Sequence, residues 1–190
     1  MFHDEDLRRL AGRPERVTEL SLAELRAVEL EGGGRIPTLA EVLEEIGPLR
    51  VNVELKAPRA LSSRGLARAV ASELLRTSAA ARAIVSSFNP LTLLAFRLAA
   101  PGIAAGLLVH ERQRLPLREG WAARPLGCAA IHPEAVLVTA ARIARWRRAG
   151  LAVNVWTVDD PAEAARLVAL GVDGIITNDP LTIGACVRLP

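Results

Sequence analysis

The sequence predicts an α/β protein whose parallel sheet is assembled from repeated βα units. Three observations carry this. Six short apolar segments bounded by Gly, Pro or Asn/Asp alternate with stretches whose apolar residues recur at helical spacing. The helical stretches carry end signals where a βα alternation needs them. Finally, 190 residues, 51% apolar and 24% charged, suit one globular domain with a large core.

In chain order, Thr38 followed three residues later by Glu41 reads as a capping box opening a helix over 38–46. A strand over 51–55 follows and should end in a loop before Pro58, and a helix occupies 61–76. The next strand, 83–87, is nearly continuous in apolar residues at Ala83, Ile84 and Val85, which implies burial on both faces. Asn89-Pro90 places a cap before an N1 proline and starts a helix over 90–99. A strand over 105–109 leads into an irregular stretch, 111–124, interrupted by Pro116. A strand over 128–131 and a helix over 138–149 come next, with Gly150 fitting a C′ position. A strand over 152–158, a helix over 161–170 capped by Asp160 and closed by Gly171, and a strand over 174–177 complete the pattern. Pattern alone leaves an open doubly wound sheet and a closed barrel both standing.

The most informative segment is Val51-Asn52-Val53-Glu54-Leu55-Lys56, an apolar strand ending in a carboxylate and the sole lysine of the chain. Glu54 and Lys56 lie two apart and therefore share one face of the pleat. At the C-terminal end of a barrel strand that face is where chemistry is done, although a strand-end ion pair has the same spacing.

Other classes are excluded or weakened. The formal net charge is only +3, and its arginines are spread along the chain; the densest group, Arg142, Arg145, Arg147 and Arg148, sits in a helical pattern with Trp146. That is a solvated helix face, not a nucleic-acid motif. Cys128 and Cys186 lack metal or redox spacing and read as reduced core residues. No run reaches the roughly 18 apolar residues of a membrane span, and no signal peptide is signalled, so a cytoplasmic protein without membrane insertion is expected. Gly32-Gly33-Gly34 has no strand leading into it and reads as a flexible connection.

Taken together, Phe2-His3-Asp4, Ile36-Pro37-Thr38-Leu39, Val51 to Lys56, Ser86-Ser87-Phe88-Asn89-Pro90, His132-Pro133, Val153 to Val158 and Asp173 to Pro180 resemble glycerophosphodiester phosphodiesterases, in the family's order and over essentially the whole chain. The resemblance implies a TIM-type (β/α)8 barrel and the hydrolysis of glycerophosphodiesters to glycerol phosphate and an alcohol, a reaction of lipid metabolism.

Residue by residue, the resemblance implies that Glu54 ligates Ca²⁺ or Mg²⁺, that Lys56 balances the charge of the phosphodiester, and that His3 is a general acid or base at the leaving alkoxide. Phe88 and Trp156 match aromatic positions that contact the glycerol or head group, Trp156 reading equally well as core. His110 and His132 follow strands but read as hydrogen-bonded loop or strand-end histidines, and Asp159-Asp160 and Asn178-Asp179 as cap and turn residues.

The departures are as informative. The family's opening His-Arg-Gly and Glu-x-Asp segments have no counterpart, and a barrel of about 250 residues exceeds this chain by about 60. Residues 1–190 are thus expected to form one domain lacking the first two βα units, with six of eight strands, Met1 to Asp4 beginning mid-strand, and two open edges able to pair with a second copy. Such a chain should be at most weakly active. Three readings stand: a phosphodiesterase whose recorded start is late, a catalytically dead binding or regulatory module or gene remnant, and an unrelated phosphate-binding α/β domain working as a dimer.

Overall fold

The structure, a computed structural model, describes residues 1–56 and 60–187. Pro58 and the loop expected there lie outside the described residues. Three short helices precede the sheet: α1 (Arg8–Ala11), α2 (Leu22–Arg26) and α3 (Leu39–Glu45). Then β1 (Val51–Glu54), α4 (Ala60–Arg76), β2 (Ala83–Ser87), α5 (Pro90–Ala99), β3 (Ala104–Val109), α6 (Leu115–Arg118), β4 (Ala130–Pro133), α7 (Ala140–Arg148), β5 (Ala152–Val155), α8 (Pro161–Ala169), β6 (Gly174–Ile175) and α9 (Pro180–Cys186) follow.

The six strands form one sheet in sequential order, every pair parallel, curling as an incomplete barrel. Sequential parallel order requires each crossover to return to the adjacent position, which the capped helices make possible. The expected caps are present: Thr38 and Glu41 form the reciprocal box, while Asn89 and Asp160 accept from the Leu91 and Ala162 amides ahead of an N1 proline. Asp179 caps α9 in the same manner, where only a turn was expected.

Register separates the two faces. Val53, Leu55, Val85, Leu107, Val109, Ile131, Val153 and Val155 point outward and are buried against the helices, in clusters that include Leu74, Phe96, Trp146 and Leu167. The alternate set, Asn52, Glu54, Ser86, Gly106, His132 and Asn154, lines the inner face. Burial on both faces holds for the central strands, whereas β1 exposes Asn52 on its inner side, because among the described residues it borders β2 alone.

Several expectations are corrected. β4 begins two residues later than 128–131, because Cys128 and Ala129 belong to the turn that leads out of the α6 region; His132 is therefore inside the strand, not at its end. Met1 to Asp4 is not a strand but an irregular, partly bent segment, to which no parallel strand among the described residues is hydrogen-bonded. Gly32, Gly33 and Gly34 form a tight turn, all at φ near +90°, under the antiparallel bridge of Glu29 with Arg35. Cys128 is buried, its thiol pushed up to about 11 by burial, but Cys186 is exposed rather than in the core. Among the described residues, no helix is long and apolar enough to cross a membrane.

Candidate functional site

The site candidates converge at the C-terminal ends of the strands. Leaving β1, Glu54 and Lys56 emerge on the inner face as the period of two requires, with Lys56 Nζ 3.8 Å from Glu54 Oε2. The ammonium also donates to the His3 backbone carbonyl at 2.7 Å, which brings a residue 53 positions earlier against the strand end. Glu54 is 29% and Lys56 40% exposed at the side chain, so both remain reachable from solvent.

His3 does not stand alone. Its Nδ1 lies 2.8 Å from Asp4 Oδ1, and Asp4 in turn receives Arg9 Nε at 2.6 Å. Hydrogen bonds from Arg9 first and His3 second hold the Asp4 carboxyl down to about 2, so it stays ionised and acts as acceptor. With Nδ1–H donating to the Asp4 carboxylate, the Nε2 atom is left for acid or base work, and the ring is 77% exposed. Asp4 and Arg9 were not recognised as supports of His3 in the sequence; the i, i+5 spacing across the start of a short helix carries no familiar signal.

The second group comes from the next four strands. Phe88, His110, Glu134 and Trp156 follow β2, β3, β4 and β5 and continue their inner-face alternation. Phe88 meets Trp156 with centroids 5.4 Å apart at 85°, and meets His110 at 5.5 Å and 67°. The Trp156 indole donates Nε1–H to the His132 carbonyl at 2.7 Å, and the ring is half-buried, so it belongs to the mouth and not to the core. His110 was set aside and Glu134 not singled out in the sequence; counting the alternation onward from each strand would have found both.

Beneath this rim, His132 is fully buried, its Nε2 3.3 Å from Asn154 Nδ2 and its Nδ1 without a partner among the described residues. Burial lowers its pKa to about 4, so it is neutral and cannot be an acid in the reaction at physiological pH. Gly106 makes room for it: a Cβ there would lie 2.6 Å from His132 Nε2.

A hard dication takes six or more oxygen ligands. Among the described residues no group of three or more His, Cys, Asp or Glu could hold a metal ion. Glu54, facing an ammonium, does not by itself fit Ca²⁺ or Mg²⁺.

The chain as a whole resembles known proteins. The glycerophosphoryl diester phosphodiesterase family model matches residues 1–182. A glycerophosphodiester phosphodiesterase of Caldanaerobacter subterraneus subsp. tengcongensis is 31% identical over 99% of this chain and 79% of its own length. An Oleispira antarctica phosphodiesterase, solved in complex with the product sn-glycerol-3-phosphate, superposes with a TM-score of 0.83 at 25% identity, covering 97% of this chain and 77% of that one. A Parabacteroides distasonis glycerophosphodiester phosphodiesterase shares the fold with a TM-score of 0.82 at 23% identity, over 97% and 75% of the two chains.

Proposed function

The chain belongs to the glycerophosphoryl diester phosphodiesterase family, and on that premise we propose that its site cleaves glycerophosphodiesters to glycerol phosphate and an alcohol. The observation that supports the reading is that Lys56, beside Glu54 at the end of β1, also holds the main-chain carbonyl of His3, a residue distant in sequence.

In this reading the phosphodiester lies against Lys56, whose charge offsets that gathering on the phosphoryl oxygens as the nucleophile attacks. Water, or the glycerol 2-hydroxyl through a cyclic intermediate, attacks phosphorus, and the bond to the departing alcohol oxygen breaks. His3 Nε2 takes up the proton that the attacking hydroxyl loses and passes it to the departing alkoxide, with Asp4 holding the ring. Phe88 and Trp156 form the wall against which the organic part packs. Glu54 is proposed as the cation ligand of the family, although alone it does not fit Ca²⁺ or Mg²⁺. The remaining donors are proposed to come from two further βα units lying between β6 and β1, which have no described strand on their outer edges.

Release of glycerol phosphate from glycerophosphodiesters tests the reading. Lys56→Gln and His3→Ala should each lower kcat/KM at least tenfold, as loss of a charge partner or a proton donor does. Unchanged rates in both would remove the site. A binding module without turnover is the second reading, favoured by the lone Glu54 carboxylate, and is identified by ligand binding in the absence of any measurable hydrolysis. The ligand is a small molecule in either case; edge-to-edge pairing with a second copy is the proposed alternative to closure by further strands.

A further inference from the structure

Helix α5 turns an entirely apolar face to solvent. Its fully exposed side chains are Leu91, Leu94, Leu98 and Ala99, and the three leucines, at i, i+3 and i+7, form one stripe along the helix. Arg97, the one charged residue of α5, is turned to the helix end, where Nη1 donates to the Pro101 and Ile103 carbonyls at 2.7 and 3.0 Å. By contrast α7, in the same outer layer, exposes Arg147 and Arg148. The neighbouring helix α4 packs between α3 and α5, and its Leu75 extends the stripe. The four leucines are between 43% and 77% exposed. Single exposed leucines are ordinary, whereas a row of them marks an interaction surface.

The complement to this stripe lies on the other flank of α4. A groove of about 400 Å³ runs between α3 and α4, lined by Leu39, Ala69 and Val70, and the charges on its rim, Arg76 and Glu73, pair with each other at 2.6 Å. Leu75 stands two positions from Glu73, so the two side chains point to opposite flanks of the helix, the stripe on one and the groove on the other. On the exposed crest between them Gly65 and Ser72 are small, and a second helix can approach there.

A stripe and a groove on one face are exchanged by a twofold axis midway between them, each copy giving its leucines and receiving those of the other. Helix α4 is about 25 Å long and its neighbours lie about 8–10 Å to each side, a footprint in keeping with the roughly 800 Å² per partner of a standard interface. An anionic membrane or a nucleic acid would need exposed cations on the stripe, which carries none.

We propose that this face joins two copies of the chain in a symmetric dimer, with Leu91, Leu94 and Leu98 of each copy seated in the groove between α3 and α4 of the other. The interface lies on the helix layer, so it depends neither on the phosphodiesterase reading nor on how the strand edges are closed.

Sedimentation velocity from about 1 to about 200 μM should show the mass doubling with a dissociation constant of about 10 μM. Leu98→Glu, on the stripe, and Ala69→Arg, in the groove, should each weaken association at least about a hundredfold, because each change falls in both contacts of the dimer. Mixed in equal amounts, the two variants should associate again through the one unaltered stripe and the one unaltered groove, more weakly than wild type. Circular dichroism shows that each variant is folded. A wild-type chain that stays monomeric throughout, or a mixture that does, overturns the proposal. So does an Ala69→Arg variant that pairs as tightly as wild type, since the leucines then do not enter the groove, and a dimer that neither substitution weakens, which assigns the pairing to the strand edges.

Discussion

Acid should destabilise this protein before its carboxylates titrate, and His132 is the reason. The ring is fully buried, and its pKa falls from 6.5 to about 4 because desolvation disfavours the charged form. The unfolded chain therefore takes up the proton first as pH drops below 6.5. Stability is complete above that pH, declines through the interval down to 4, and levels off below. At about 1.4 kcal/mol per pH unit the loss is about 2 kcal/mol by pH 5 and about 3 kcal/mol when complete. Carboxylates such as Asp4 and Glu41, both held down to about 2, also lose stability on protonation, but only from the ordinary carboxylate range downward. The window between pH 7 and 5 thus isolates imidazole. Urea denaturation at pH 7, 6 and 5, followed by circular dichroism, should show the wild-type free energy falling across the window, and His132→Gln should flatten most of that slope whatever its own baseline. Parallel slopes in the two proteins would refute the assignment of His132 as a buried neutral ring.

Three further outcomes are expected. Gly106→Ala places a methyl 2.6 Å from His132 Nε2 and should cost about 1–3 kcal/mol as overpacking; a denaturation midpoint equal to wild type would mean that the ring moves freely. Thr38→Ala breaks the reciprocal box with Glu41 and should lower stability by about 1 kcal/mol, read in the same assay, with no change expected if α3 frays in the native state. Calcium or magnesium titrated calorimetrically should give no saturating isotherm below about millimolar concentration, because the described residues offer too few oxygen donors. Micromolar affinity would contradict that count.

Much of the sheet was legible because its signals are local. Asn89-Pro90 and Asp160-Pro161 mark helix starts whatever the surroundings, and the apolar runs of β2 and β3 differ by at most one residue from the strands that form. β4 was less legible: Cys128 and Ala129 are as apolar as the strand they precede, so only pairing with β3 and β5 sets its limits. The first 36 residues escaped because their helices are short and their apolar residues, Leu7, Val28 and Ile36, meet only after the chain folds back. At the site, Glu54 and Lys56 were visible as charges on an apolar strand. His3 was visible only through family likeness, and its support by Asp4 only in three dimensions. The aromatic rim was half visible: Phe88 and Trp156 were marked only through the family likeness, while Glu134 looked like any surface acid until the register set it opposite Trp156.

Leu7, Val28 and Ile36 form a cluster of their own, separate from the two that join sheet and helices. The segment that carries His3 is thereby a small cooperative unit docked on a larger one, and Lys56 reaching the His3 carbonyl is one of its moorings, with Arg26 to Glu41 another. Units of this kind open at a lower free energy than the whole. Amide exchange at Leu7 and Val28 should then outrun exchange in β2 and β3, and each excursion lifts the imidazole away from the strand end while the sheet stays intact. The fraction of molecules competent for proton transfer would be set by an undocking equilibrium rather than by global stability, so mutations in that small cluster could silence the site in a protein that still melts at its usual temperature.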